Sequence, residues 1–260
     1  MDPQPNAARF LPGQDDVFAR IARRYDLLCD LFSLGAHRHW KSRMARRLAE
    51  RGGDTLLDLA SGTGDIPLRL LRRPDAPSTL WVTDLSPAML DLAREKLGGA
   101  TACRLGFADA ESLTDFADNS VDLVSISFGM KICDRQRVTA EALRVLKPGG
   151  GFFCLEAAHI PWPWLHVAYL TYMNWCLPLI ATLAVGGDRS AYDYLLRGIH
   201  DFPPQARLAA EFTEAGFTDV TFESLTFGIV ALHVATKPRP GHDPAFRITP
   251  HGLEDHPLSS

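Results

Sequence analysis

The segment Thr55-Leu56-Leu57-Asp58-Leu59-Ala60-Ser61-Gly62-Thr63-Gly64-Asp65 most constrains what this chain can fold into. A short apolar run ends around an acid, two glycines follow, and a helical pattern runs from Ile66 to Arg73. A second apolar run, Leu80-Trp81-Val82-Thr83, closes on Asp84. Strand, tight turn, helix, strand and acid in that order predict a βαβ unit that holds a nucleotide. Gly62 and Gly64 let the backbone turn sharply, and a ligand can lie against them without meeting a Cβ. Asp84 stands 20 residues beyond Gly64. A carboxylate at about that distance, ~20 residues, accepts hydrogen bonds from ribose hydroxyls.

What the turn lacks narrows the ligand. A dinucleotide fingerprint needs a third glycine, and Pro67 stands in its place. The G-x-x-x-x-G-K-[ST] pattern of a P-loop is absent. No lysine or arginine in the turn could meet a pyrophosphate, and Asp58 and Asp65 flank it with negative charge. That suits an adenosine-bearing ligand with a cationic end, such as the ammonium of S-adenosylmethionine.

With 260 residues the chain can form one large domain with a sizeable core. A net charge of −4 gives no electrostatic case for a nucleic-acid partner. The five cysteines, Cys29, Cys103, Cys133, Cys154 and Cys176, show no C-x-x-C spacing. This scatter points to a reducing compartment and away from a structural metal. The polar, proline-containing start has no secretory h-region, so a cytoplasmic location is expected.

Residues 1–14 read as disordered, 15–237 as one domain, and 238–260 as a loose Pro-, His- and Gly-rich tail. Two helices are expected over 15–51, around a turn at Ser33-Leu34-Gly35. Strands are expected near 55–59, 80–84, 102–107, 121–127 and 151–156. Between them run helices at Ser86–Leu97, N-capped by Ser86, and Gln136–Leu146, stopped by Lys147-Pro148-Gly149-Gly150. Such alternation predicts an α/β, doubly wound parallel sheet. A helix at 204–215 and strands at 219–225 and 228–236 complete the domain. The insertion at 157–203 breaks the rhythm. Its apolar run from Trp162 to Val185 is long enough to raise a membrane span. It carries His166, Asn174 and Pro178 and would split a sheet, so a helical lid over an apolar pocket is preferred. Contact with the bilayer interface is the other option, because tryptophans favour that zone.

Several segments carry a family resemblance. Val17-Phe18-Ala19-Arg20-Ile21-Ala22-Arg23-Arg24-Tyr25-Asp26, then Asp30, Ser33, Gly35 and His37-Arg38-His39-Trp40-Lys41, resemble the opening signature of the ubiquinone/menaquinone biosynthesis C-methyltransferases. The likeness continues at Asp58–Asp65, Asp84–Leu90, Ala108–Glu111, Ser125–Gly129, Arg144–Gly150, Ala215–Phe217 and Gly228–His233. It implies a Rossmann-like, seven-stranded class I methyltransferase sheet, with six parallel strands and one antiparallel. It also implies N-terminal helices, the lid insertion, and S-adenosylmethionine at the carboxyl ends of the strands. Matched position by position, the cofactor contacts fall on Thr63, Asp84, Asp109 with Ala110, and Ser127. Asp58, Gly62 and Gly64 join them from the turn itself.

The acceptor side departs from that family. Its usual Arg-Asn pair after Phe-Gly and a hydrophobic residue is Lys131-Ile132 here. Lysine keeps a cation but loses the planar fork that holds two oxygens. The expected activity is methyl transfer to a hydrophobic aromatic acceptor, either a quinol-like ring or a specialised metabolite. The alternatives are N- or O-methylation of an amine or phospholipid head group, or a cofactor-binding relative without catalysis. For a carbon acceptor, Lys131 is the candidate for stabilising a phenolate and Tyr25 for positioning. His200 and His233 are further candidates by type. A basic run, Arg38, Lys41, Arg43, Arg46, Arg47 and Arg51, reads as a solvated face or a contact for anionic lipid. Peripheral membrane contact and a homodimer both stay open.

Overall fold

The computed structural model describes residues 22–185 and 202–241. A 3₁₀ turn, Ala22–Arg24, leads into α1 (Tyr25–Ser33) and, after Leu34 and Gly35, into α2 (Ala36–Arg51). The alternating part follows: β1 (Thr55–Leu59), α3 (Asp65–Leu70), β2 (Thr79–Asp84), α4 (Pro87–Leu97), β3 (Cys103–Phe107), β4 (Val121–Ser127), α5 (Arg135–Val145) and β5 (Leu146–Ala157). Then come α6 (Pro163–Val185), α7 (Gln205–Glu214), β6 (Thr218–Leu225) and β7 (Val230–Thr236).

Among the described residues seven strands form one sheet in the order β3-β2-β1-β4-β5-β7-β6. Only β7 runs antiparallel to its neighbours. The chain winds outward from β1 to β3, then returns to place β4 on the other side of β1. That reversal opens a crevice at the carboxyl ends of β1 and β4, where open α/β sheets bind ligands.

The central strands are apolar on both faces because helices cover both. Leu56, Leu123, Phe153 and Leu155 pack with Trp40, Met44 and Leu48 of α2 and with Ile66 and Leu70 of α3. Their neighbours Leu57, Val124, Phe152 and Cys154 point the other way, onto Val138 and Ala142 of α5 and Leu208 and Phe212 of α7. Phe152 stacks on Phe217, centroids 5.5 Å apart, and meets Phe212 edge-on at 5.2 Å. Each such side chain contributes roughly 1.5–3 kcal/mol through burial.

Most expected elements appear, with shifts that have identifiable causes. Ser86 caps α4 by accepting from Met89 N–H at 3.4 Å, with Pro87 in the first turn. Asp134 caps α5 from one residue earlier than expected, accepting from the N–H groups of Gln136 and Arg137. The Lys147–Gly150 segment is more than a helix stop, because it opens β5. Gly149 N–H donates to Lys237 O at 2.8 Å and Lys237 N–H returns a bond to Gly150 O at 2.9 Å. β7 begins at Val230, two residues later than expected, since Thr226–Gly228 forms a tight 3₁₀ turn.

α6 is a single helix packed against α1. Among the described residues no helix is long and apolar enough to cross a membrane. The start read as disordered (1–14), residues 186–201 of the insertion with His200, and the tail from 242 onward lie outside the described residues.

Candidate active site

The crevice is built from strand tips. Asp58 is buried on β1 and stands in register with Ser125 on β4. Ser125 Oγ donates to Asp58 Oδ1 at 2.5 Å. Asp58 Oδ2 has no hydrogen-bond partner within the protein. Burial pushes this carboxyl up to about 7, against the pull of its serine partners and of Lys41. A buried acceptor without a donor is costly, so its persistence beside a glycine turn marks a place where a ligand donor belongs. The turn then passes through Gly62 and Gly64 at φ 56° and 78°. A Cβ on Gly64 would come within 3.3 Å of Ala93 and Leu97, so the turn packs directly on α4.

Asp84 ends β2 with both oxygens tied down. Oδ2 accepts from Gly62 N–H and Oδ1 from Ser86 N–H, each at 2.8 Å. The carboxylate thereby fixes the glycine turn. Beyond β3, Ala108 N–H bonds Asp84 O at 3.3 Å, which brings Asp109 and Ala110 alongside. Asp109 Oδ1 accepts from Glu111 N–H at 2.9 Å, and Ala110 is buried. Ser127 closes β4.

The exit of β4 is strained. Phe128 has φ 58°, a region that non-glycine residues seldom enter. Ala60, at the tip of neighbouring β1, also has positive φ, 45°. The two tips interlock at Gly129, where a Cβ would lie 2.7 Å from Ala60 Cβ. Gly129→Ala is therefore expected to cost about 1–3 kcal/mol by overpacking. It should also weaken cofactor binding by displacing the β1 turn, an effect calorimetric titration would register. Unchanged stability and affinity would show that the tips can part freely.

Lys131 lies just past this kink, and its side chain is 5% exposed. Nζ donates to Glu156 Oε1 at 3.1 Å and to Phe128 O at 2.5 Å, and it sits 5.3 Å from the Phe128 ring centroid. Glu156, at the end of β5, is 0% exposed and also accepts from the N–H groups of Lys131 and Ala157. The cation singled out in the sequence is thus half of a buried ion pair that clamps the strained carbonyl of Phe128.

Helix α1 covers the turn. A Cβ on Gly62 would lie 4.0 Å from Tyr25 Cε1. The Tyr25 hydroxyl feels Cys29, Asp84 and Glu156. Cys29, burial and these two carboxylates hold it well above the ordinary tyrosine value. Thr63 Oγ1 donates to Asp26 Oδ1 at 2.8 Å, and Lys96 Nζ reaches Asp26 and Thr63, each at 2.6 Å. Asp65 is held by Lys41 at 2.8 Å, Lys96 at 3.1 Å and Arg69 at 3.3 Å. Burial alone would raise the Asp65 carboxyl, but these cations outweigh it and keep it well below the usual carboxylate range.

The two acids that look alike around the turn therefore differ. The charge of Asp65 is matched inside the protein, and Asp58 keeps an unpartnered oxygen. Lys41 and Lys96 do approach the turn from distant helices, yet they are engaged with Asp26 and Asp65. Ser125, Glu156, Asp26 and Lys96 were not singled out in the sequence. Only the Asp58–Ser125 strand register could have suggested one of them. His233 lies in β7 with its ring against Phe212 and Phe222 and Nε2 2.9 Å from Gln205 O. Burial lowers it to about 4, which keeps it neutral.

Comparison with known proteins gives a consistent picture. Residues 11–237 match the model of the ubiE/COQ5 methyltransferase family. A ubiquinone/menaquinone biosynthesis C-methyltransferase, UbiE, from Acidiphilium cryptum is 43% identical over 225 residues, covering 84% of this chain and 88% of that protein. The mitochondrial 2-methoxy-6-polyprenyl-1,4-benzoquinol methylase of Arabidopsis thaliana is 35% identical over 247 residues, covering 85% and 84%. Among solved structures, a SAM-dependent methyltransferase from Thermotoga maritima superposes with a TM-score of 0.57. It is 16% identical, and the match spans 85% of this chain and 97% of that one. At that identity the likeness concerns the fold.

Proposed function

The chain belongs to the ubiE/COQ5 methyltransferase family, and from that premise we propose that it methylates a ring carbon of a hydrophobic, quinol-like acceptor with S-adenosylmethionine as donor. The observation that carries the cofactor is Asp58, a buried carboxylate with one unpartnered oxygen beside a glycine turn. The residues present fit the group. Asp58 would hold its ammonium, Asp84 its ribose hydroxyls, and Asp109 with Ala110 its adenine. Gly62, Thr63, Gly64 and Ser127 would line its length. When bound, the cofactor supplies a methyl group on a sulfonium, open to in-line attack.

The protein's task is then to hold the acceptor and manage one proton. Electron density reaches a ring carbon when a ring hydroxyl gives up its proton, here to solvent, and after methyl transfer the methylated carbon sheds its own proton to restore the ring. Tyr25 stays protonated because its hydroxyl is pushed upward, so it acts as a donor to the developing phenolate. Phe128 O and both oxygens of Glu156 engage the Lys131 ammonium, so it favours the same oxygen by its charge and by holding the β4 tip in place. Carbon is favoured over nitrogen or oxygen by the relatives, which are named a C-methyltransferase and a benzoquinol methylase. Lys131 and Ile132 fix a ring less tightly than a guanidinium and an amide would, which favours a broader set of ring substituents.

Transfer of labelled methyl to a chain-shortened benzoquinol, with the product located by mass spectrometry, tests this reading. A carbon-bound label is expected. Label on an amine head group, or tight cofactor binding with no turnover on any aromatic acceptor, would overturn it.

A pH dependence follows from Asp58. With its carboxyl at about 7, the free protein holds it protonated in acid and ionised in base. A cationic ligand prefers the ionised form, so affinity should fall with pH and be about tenfold weaker at pH 6 than at pH 8. Asp58→Asn should bind weakly at both values with little slope. Equal affinity of the parent protein at both values would remove Asp58 from the ammonium site.

A further inference from the structure

We infer that α1, the first half of α6 and the β6–β7 turn form one face that docks on an anionic lipid bilayer. Leu27 and Leu31 recur at helical spacing along the outer side of α1 and Leu34 follows as its left-handed C-cap, all exposed, with Leu34 at 84%. On α6, Trp164 and Trp175 are 73% and 78% exposed, with exposed Val167 between them on the same stripe. Trp162 meets Phe227 edge-on at 6.5 Å, and Phe227 is 68% exposed. Because α6 packs on α1, the two stripes are neighbours.

The turn that presents Phe227 is built to project it. Thr226 and Phe227 both hold positive φ, 47° and 57°, and Trp40 Nε1–H anchors Thr226 Oγ1 at 2.7 Å. Backbone strain of this kind costs of order 1–3 kcal/mol per residue and survives where the surroundings impose it. Apolar patches of this extent on an exposed surface mark an interaction site.

Charge and residue type select the partner. Residues 22–51 carry eight basic side chains and three acidic ones; Lys41 and Arg43 are engaged by Asp65 and Glu223 outside the segment, which leaves an excess of three positive charges in a chain whose net charge is −4. Arg23 and Arg24 stand one turn before Leu27. The two acids of α1 are matched, Asp26 by Lys96 and Asp30 by Arg38. From Pro163 to Val185 there is no Asp, Glu, Lys or Arg. Exposed tryptophans beside an apolar stripe, edged by arginines, suit the headgroup boundary of an anionic membrane better than a protein surface. The opposite side of α1 carries Tyr25 and Cys29 over the crevice, so docking would set the cover of the site against the bilayer. That the bilayer then delivers the acceptor rests on the function proposed above, whereas the docking does not.

Flotation of the full chain with vesicles of phosphatidylcholine, alone or with about a third phosphatidylglycerol, tests the face. Binding to the anionic vesicles, a blue shift of tryptophan emission and loss of binding at high salt are expected. Trp164→Asp with Trp175→Asp, and separately Leu34→Asp, should each weaken partitioning at least about tenfold. Arg23→Glu should reduce the preference for anionic lipid. Circular dichroism confirms that each variant is folded, and methyl transfer to a tail-less, water-soluble quinol should be unchanged in all of them. A folded parent that ignores both vesicles would overturn the docking face. So would variants that bind as well as the parent, or a dimer that binds no lipid and that Trp164→Asp dissociates. Vesicle binding without methyl transfer to any acceptor would keep the docking face and remove the proposed function.

Discussion

Lys131→Met is expected to lower the melting temperature by about 6–20 °C, the largest stability loss of any single change near the site. Removing one partner of a buried ion pair costs about 3–5 kcal/mol, and each kcal/mol moves the midpoint of a domain this size by about 2–4 °C. Here the abandoned partner is Glu156, fully buried, with only the N–H groups of residues 131 and 157 left to bond it. The change also frees the carbonyl of Phe128, a residue held at φ 58°. The β4 tip should then relax and carry Ser127 with it. Lys131→Arg keeps the charge and should retain most of the stability. Replacing both partners, Lys131→Met with Glu156→Leu, should recover much of the loss, because an apolar pair needs no compensating charge. Differential scanning calorimetry separates these outcomes. A shift under about 2 °C in Lys131→Met would mean that water solvates Glu156 and that the pair is no clamp.

Asp84→Ala should cost about 10²–10⁴-fold in cofactor affinity, at two charge-assisted bonds of about 1.5–3 kcal/mol each. The loss has two origins. The ribose would lose its acceptors, and the turn would lose the carboxylate that holds the N–H groups of Gly62 and Ser86. Asp84→Asn keeps one oxygen and supplies an NH₂, so it should fall between the alanine variant and the parent. Isothermal titration with S-adenosylhomocysteine measures both. An alanine variant that binds as the parent does would show that the tip of β2 does not face the ribose.

The fold was legible because its signals are local. Glycines after an apolar run, an acid 20 residues on and the alternation of short apolar runs with helical patterns point to a doubly wound, nucleotide-binding type of sheet before any packing is known. Two element edges moved for local reasons, the Asp134 cap and the Thr226–Gly228 turn, and one because a distant strand intervened. Lys147–Gly150 became part of β5 because Lys237, far along the chain, offers it backbone partners. The acceptor side was less legible. Lys131 was singled out as a bare cation, and Glu156, 25 residues later, was passed over as an ordinary strand acid. The constraint on Gly129 comes from Ala60 on a different strand, which the sequence around Gly129 does not show.

The sequence by itself determined where the glycine turn lies, which acid ends β2 and that the chain is a methyltransferase of this family, since motif spacing survives without tertiary knowledge. Only the tertiary structure decided which charges are available. Asp58 and Asp65 flank the same turn, yet Lys41 and Lys96 fold onto Asp65 from 24 and 31 residues away in sequence. Asp58 is left buried with Ser125 and an unpartnered oxygen. Electrostatic pairing depends on distances of a few ångströms between segments far apart in the chain, and no local pattern encodes them.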